Sequence, residues 1–131
     1  MKIRVFLINK DGASIVEIEN DYRAFNEALK WDDAWNTPTI RVRGHDYICV
    51  CSDTGKLRHE PVSALSYANL IAPKQALREP FIVGSIIITK FDGTDDFMSL
   101  SDKDIELIES RIYTHGKHYL KEYFDTLLVL D

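Results

Sequence analysis

Cys49 and Cys51, with His45 four residues before the first and His59 eight after the second, are the residues whose types could do covalent chemistry. A thiol attacks as its thiolate, so Cys49 with His45 or His59 as base would need a lowered pKa and an oxyanion site. The neighbouring residues supply neither, and burial is the common reason for cysteine in a strand. Adding His115 and His118 makes a Cys2His2 set, but zinc needs its ligands oriented by supporting groups. Gly116 interrupts the helix that would align those histidines, and a surface helix end accounts for them. Asp92, Asp95 and Asp96 around Gly93 carry the carboxylates of a calcium loop without its alternate spacing or distal glutamate, so an aspartate-rich turn is expected. Gly55-Lys56 lacks the rest of a phosphate loop, and no pair of acids is singled out for glycoside chemistry. No metal, cofactor or catalytic residue is expected.

The elements that would position these residues follow from periodicity and turn chemistry. Ile3, Val5 and Leu7 alternate with Phe6 and Ile8, a strand buried on much of both sides, and Asn9-Lys10-Asp11-Gly12 turns it into a second strand over Ala13 to Ile18. Asp21 caps a short helix bearing Tyr22, Phe25, Ala28 and Leu29. Trp31 to Pro38 connects, its tryptophans closing over the core edge. Thr39 to Arg43 and Tyr47 to Ser52 form a hairpin around Gly44-His45-Asp46. Asp53-Thr54-Gly55 turns into a short arm, Lys56 to His59, that stops before Pro61. Val62 to Leu77 fits neither period and reads as a helical turn and a long loop.

Phe81 to Phe91, with three consecutive isoleucines, reads as one strand central in the sheet, Gly84 marking a bulge or close backbone approach. Ser101 and Asp104 form a short-armed capping box ahead of a helix with Ile105, Ile108 and Ile112 on its buried stripe. Gly116 ends it, and Lys117 to Leu128 continues as a second helix. The fold class is therefore α+β: one domain over residues 1–131, a mostly antiparallel sheet with helices packed on one face and a C-terminal helical pair.

The charge of −5 disfavours binding to a phosphate backbone, although Arg41, Arg43, Lys56 and Arg58 gather in mid-chain. Asp92, Asp95, Asp96, Asp102, Asp104, Glu106 and Glu109 follow, an acidic run that suits a solvated helix or imitates nucleic acid toward a basic partner. No apolar run reaches the roughly 20 residues of a membrane helix, and the N-terminus lacks a signal-peptide pattern. Cysteines one apart in a strand share a face at a spacing that strains a disulfide, which fits a reducing, cytoplasmic compartment.

The residues also carry a resemblance. A Met-Lys first strand, a short helix, Asp53-Thr54-Gly55-Lys56-Leu57, Pro61 soon after, Ile82-Val83-Gly84, and Phe97-Met98-Ser99-Leu100-Ser101-Asp102 occur in that order. This succession resembles the family catalogued as domain of unknown function 3846, over residues 1–112, with 113–131 as a C-terminal helical extension. Members often have an Asn-Arg pair where this chain reads Val62-Ser63 before Ala64-Leu65. The resemblance implies a small protein of phages, plasmids or integrative elements, and with it an accessory role of binding and inhibiting a host factor or defence system.

The expected function is thus non-catalytic protein binding, by steric occlusion or charge mimicry. Candidate contacts are Asp95, Asp96, Asp102 and Glu106 on the acidic segment and Tyr119 and Tyr123 in the aromatic tail, since aromatic residues are enriched at interfaces. The expected partner is a host or phage protein, or a second copy of the chain, rather than nucleic acid or membrane. The alternative is a small ligand- or metal-binding domain or thiol enzyme built on His45, Cys49 and Cys51.

Overall fold

Ile86, Ile87 and Ile88 have no exposed surface, which requires a strand covered on both faces. In the computed structural model, which describes residues 1–30, 35–52, 60–67, 81–93, 96–114 and 126–131, they lie in strand β8 (Ile86–Phe91), at the centre of the larger of two sheets. Its path runs β2 (Gly12–Glu19), β1 (Lys2–Asn9), β8, β5 (His45–Ser52), β3 (Trp35–Asn36), with β4 (Thr39–Val42) also on β5 and β9 (Phe97–Met98) on β8. Every described pairing in this sheet is antiparallel.

The smaller sheet has the order β10 (Ile112–Thr114), β11 (Thr126–Leu130), β6 (Val62–Ser66), β7 (Phe81–Val83), and pairs β11 with β6 in parallel. Helix α1 (Tyr22–Leu29) starts at Asp21, whose carboxylate accepts from Ala24 N–H at 2.8 Å. Helix α2 (Asp102–Glu109) starts at Ser101 with the full reciprocal capping box to Asp104.

Side-chain alternation divides the core. Ile3, Val5, Val50 and Ile87 point to one face of the large sheet, where Phe25 and Leu29 of α1 cover them. Phe6, Ile8, Tyr47, Cys49, Ile86 and Ile88 point to the other, against Ala64, Leu128 and Leu130 of the small sheet and Ile105 and Ile108 of α2. The two described helices thus pack on opposite faces rather than on one. The α+β class holds, with a mostly antiparallel architecture and the small sheet as an added layer.

Three local expectations change. Phe81–Phe91 is two strands, not one: at Gly84, with φ of +82°, the chain leaves the small sheet as β7 and enters the large one as β8. Gly84 N–H donates to Pro61 O at 2.8 Å and its carbonyl accepts from Ser63 Oγ, which pins the crossing. Val62–Ser66 is a strand rather than a helical turn; four of its five residues are buried, so no alternation advertises it. The helix after Ser101 stops at Glu109, and Ile112–Thr114 and Thr126–Leu130, expected to be helical at least in part, are strands. The helix expected over 117–125 lies outside the described residues, as do the turn and arm over 53–59, the loop over 68–79 and Trp31.

Asp131 ties the two sheets. Its carboxylate accepts from Arg43 and Gly44 N–H, each at 2.8 Å, and its own N–H donates to Arg41 O at 3.0 Å. Arg43 and Gly44, at φ of 49° and 83°, are the positive-φ pair that a two-residue β4–β5 hairpin turn demands.

Candidate functional site

Aromatic rings on the α1 side of the large sheet form an unbroken row. Capping by Asp21 fixes the start of α1 so that Tyr22 and Phe25 project from neighbouring turns. The pairing of Trp35 with Ser52 brings the Trp35 indole beside them, where its N–H donates to Asn26 Oδ1 at 2.7 Å. Tyr22 stacks on Trp35 with ring centroids 4.6 Å apart, and Trp35 meets Phe25 at 5.4 Å. Phe25 stacks on Phe97 at 5.4 Å, and Phe97 on Phe91 at the same distance. Phe91 and Phe97 are cross-strand partners in the β8–β9 pair, which Thr89 Oγ1 secures by donating to Met98 O at 2.9 Å and Asn20 Nδ2 by donating to Phe97 O at 3.2 Å.

The row is buried in the middle and open at its ends. Phe25 is 1% exposed, while Tyr22 is 55% and Phe91 40% exposed, with Met98 beside Phe97 in β9 also exposed. Each ring pair contributes about 1 kcal/mol beyond burial, which holds the open rings in place at low entropic cost.

The opposite face carries a buried carboxylate with four hydrogen bonds. Asp104 Oδ2 accepts from Lys90 Nζ at 2.6 Å, Ser101 N–H at 2.8 Å and Ser101 Oγ at 2.9 Å, and Oδ1 accepts from the Tyr47 hydroxyl at 2.8 Å. Burial by itself would raise the Asp104 pKa, but the Lys90 ammonium, the Ser101 donors and Tyr47 outweigh it and hold the carboxyl at about 2. Burial, then the neighbouring carboxylate, pushes the Tyr47 hydroxyl well above its ordinary value. All four groups are satisfied by one another, so the cluster locks α2 to β5 and β8.

The sequence-derived candidates fall in separate places. Cys49 is completely buried and Cys51 nearly so, and the two are not joined by a disulfide. Their mutual hydrogen bond, then burial, drives the Cys49 pKa well up, the reverse of what a nucleophile needs. His45 is exposed at the start of β5, about 13 Å along the strand from Cys49. Asp102 and Glu106 lie on the outward face of α2, Asp102 paired with Arg4 Nη2 at 3.0 Å. Asp96 lies in the β8–β9 connection, its carbonyl accepting from Asp92 N–H at 3.1 Å.

Asp95, Tyr119 and Tyr123 lie outside the described residues, as do His59, His115, His118, Lys56 and Arg58. Arg41 pairs with Asp46 at 2.9 Å and Arg43 reaches Ser110 Oγ at 3.3 Å, so these two arginines are engaged within the fold. Among the described residues no three His, Cys, Asp or Glu side chains gather as metal ligands, and no described helix is long and apolar enough to cross a membrane.

A cleft of about 590 Å³ opens where the sheets meet, between Thr37, Ile40 and Cys51 of the large sheet's margin and Ser66, Ile82 and Leu130 of the small one. Sequence reasoning missed both this cleft and the aromatic row. The row had one readable signal, Phe91 and Phe97 flanking an aspartate-glycine turn, but joining them to Tyr22 and Trp35 requires the strand order.

No curated protein and no solved structure matches the chain significantly. The model of one family does, over residues 1–113, under the description "Domain of unknown function (DUF3846)". That match takes in α1, the β8–β9 pair and the Ser101–Asp104 capping box. By that extent of agreement, the chain belongs to the DUF3846 family.

Proposed function

We propose that this protein is a non-catalytic accessory protein of a phage or mobile element that works in the cytoplasm by binding, and thereby inhibiting, a host protein. The observation that carries this reading is the aromatic row, rigidly stacked and open at Tyr22 and Phe91. Aromatic side chains packed on a neighbouring ring and open to solvent are the kind enriched in protein interfaces. The Asp92–Asp96 connection next to Phe91 and Phe97, in a chain of charge −5, favours a partner with a basic contact surface. Asp102 and Glu106 belong to the other layer of the molecule and serve long-range attraction rather than the same contact.

The test is capture of bacterial lysate proteins on the immobilised protein, with identification by mass spectrometry and a salt series. A stoichiometric protein whose retention falls as salt rises supports binding with a charge component, since exposed charges are screened over about 8 Å at physiological ionic strength. A clean column at low salt overturns the binding reading. A second reading, a small-ligand domain, is favoured only by the cleft between the sheets. It predicts a compound released on denaturing the purified protein.

A further inference from the structure

We infer that the outer edge of β2 is a self-association surface, through which two copies of the chain join into one continuous antiparallel sheet. Strand β2 ends the path of the large sheet and pairs with β1 over eight residues without a bulge. It contains no proline and no lysine, and its charged residues, Glu17 and Glu19, lie toward one end, so Gly12 to Val16 lacks the proline, charge or bulge that normally blunts a long edge.

The direction of its free backbone groups follows from β1. Arg4 N–H donates to Ser99 Oγ at 3.0 Å and Arg4 O accepts from Leu100 N–H at 2.9 Å, both on the side away from β2. Arg4 and Glu17 are therefore a non-hydrogen-bonded pair. By the alternation of an antiparallel ladder, the N–H and C=O of Ala13, Ile15 and Glu17 point out of the sheet. None of them has a backbone partner among the described residues.

A second copy fits this edge in a register that satisfies all three residues. A two-fold axis normal to the sheet keeps each face continuous and pairs residues of the same parity. Centred on Ile15, it sets Ile15 against Ile15 of the second copy and each Ala13 against the other copy's Glu17. Each such pair exchanges two backbone hydrogen bonds. No glutamate then faces a glutamate directly. Glu19 stands opposite Asp11 of the second copy, and the Met1 ammonium, 2.9 Å from the Glu19 carboxylate, offsets the added acid. The pairing also covers Ile15, which is 44% exposed on the face that the small sheet and α2 leave open beyond Phe6. This register confines the facing acids to its two ends, beside the Met1 ammonium, and buries Ile15, the one large exposed apolar side chain of β2, against its own copy at the centre, which is why the occupant is a second copy rather than a foreign strand.

The experiment is sedimentation equilibrium on the full chain and on Ile15→Pro and Ile15→Lys. Proline at 15 removes an N–H that β1 does not use, a substitution an edge strand tolerates. The wild type sediments as a dimer, and Ile15→Pro raises the dissociation constant at least about tenfold for the hydrogen bonds it removes. Ile15→Lys does the same by placing like charges on the axis, and it carries the test if the proline variant fails to fold. Amide exchange supplies a second signature: protection at Ala13, Ile15 and Glu17 grows with protein concentration while Ser14 and Val16 stay constant. A wild type that is monomeric at every soluble concentration, or a dimer that folded Ile15 variants leave intact, overturns the inference.

Discussion

The two faces of the large sheet use their side chains in opposite ways. Beneath the small sheet and α2, the charged and hydroxyl groups of Lys90, Asp104, Ser101 and Tyr47 are spent on one another. On the α1 side the rim is aromatic, and its outermost rings, Tyr22 and Phe91, are left open. Perturbed ionisation is often a guide to a functional centre, yet here the strongly shifted carboxyl, Asp104, has donors from three elements and is used by the fold. The contact area left unspent lies on the other face, so binding energy and reactivity have to be looked for separately.

If that contrast is right, variants on the two faces separate cleanly. The largest effect belongs to Asp104→Ala, which removes the reciprocal half of the Ser101 capping box and leaves the Lys90 ammonium without its partner. It lowers the unfolding free energy in urea by about 3 kcal/mol. A loss below about 1 kcal/mol would mean that the cluster is incidental to the fold.

Acid titration reads the same cluster. The folded pKa of Asp104, about 2, lies below the unfolded value of about 3.9. Its contribution is therefore complete above about pH 4 and lost as pH falls toward 2. On the order of 2 kcal/mol disappears over that window in the wild type, and that component is missing in Asp104→Asn. Identical acid profiles for the two proteins would contradict the assignment.

How much of this contrast the sequence discloses depends on the range of the interaction. The β1–β2 and β4–β5 hairpins, α1 behind Asp21 and the Ser101–Asp104 box are local, and each was legible from turn and capping residues. Where strands are buried throughout, as at Val62–Ser66 and Thr126–Leu130, the alternation that identifies a strand is absent and helix and strand look alike. Gly84 was visible as an irregularity, but an isoleucine run does not say which sheet each half joins. Asp104 was legible as the reciprocal partner of the Ser101 cap and not as the partner of Tyr47, 57 residues away. The aromatic row likewise depends on which strands become neighbours.

The aromatic side gives the smaller stability effects. Tyr22→Ala and Phe91→Ala each reduce the unfolding free energy by about 1 kcal/mol, because the rings are half in solvent and lose little burial. Circular dichroism melts should show the fold retained; collapse of the domain would make these rings core and end their role as a contact surface. Smallest is Asp102→Asn, an exposed ion-pair partner of Arg4, expected within about 0.5 kcal/mol of wild type by the same melts.

The most direct measurement is parallel capture of lysate proteins on the wild type and on a folded Tyr22→Ala/Phe91→Ala double variant. The account predicts a stoichiometric partner on the wild type and its loss from the variant. Equal retention by both proteins would contradict the claim that the aromatic row is the binding surface.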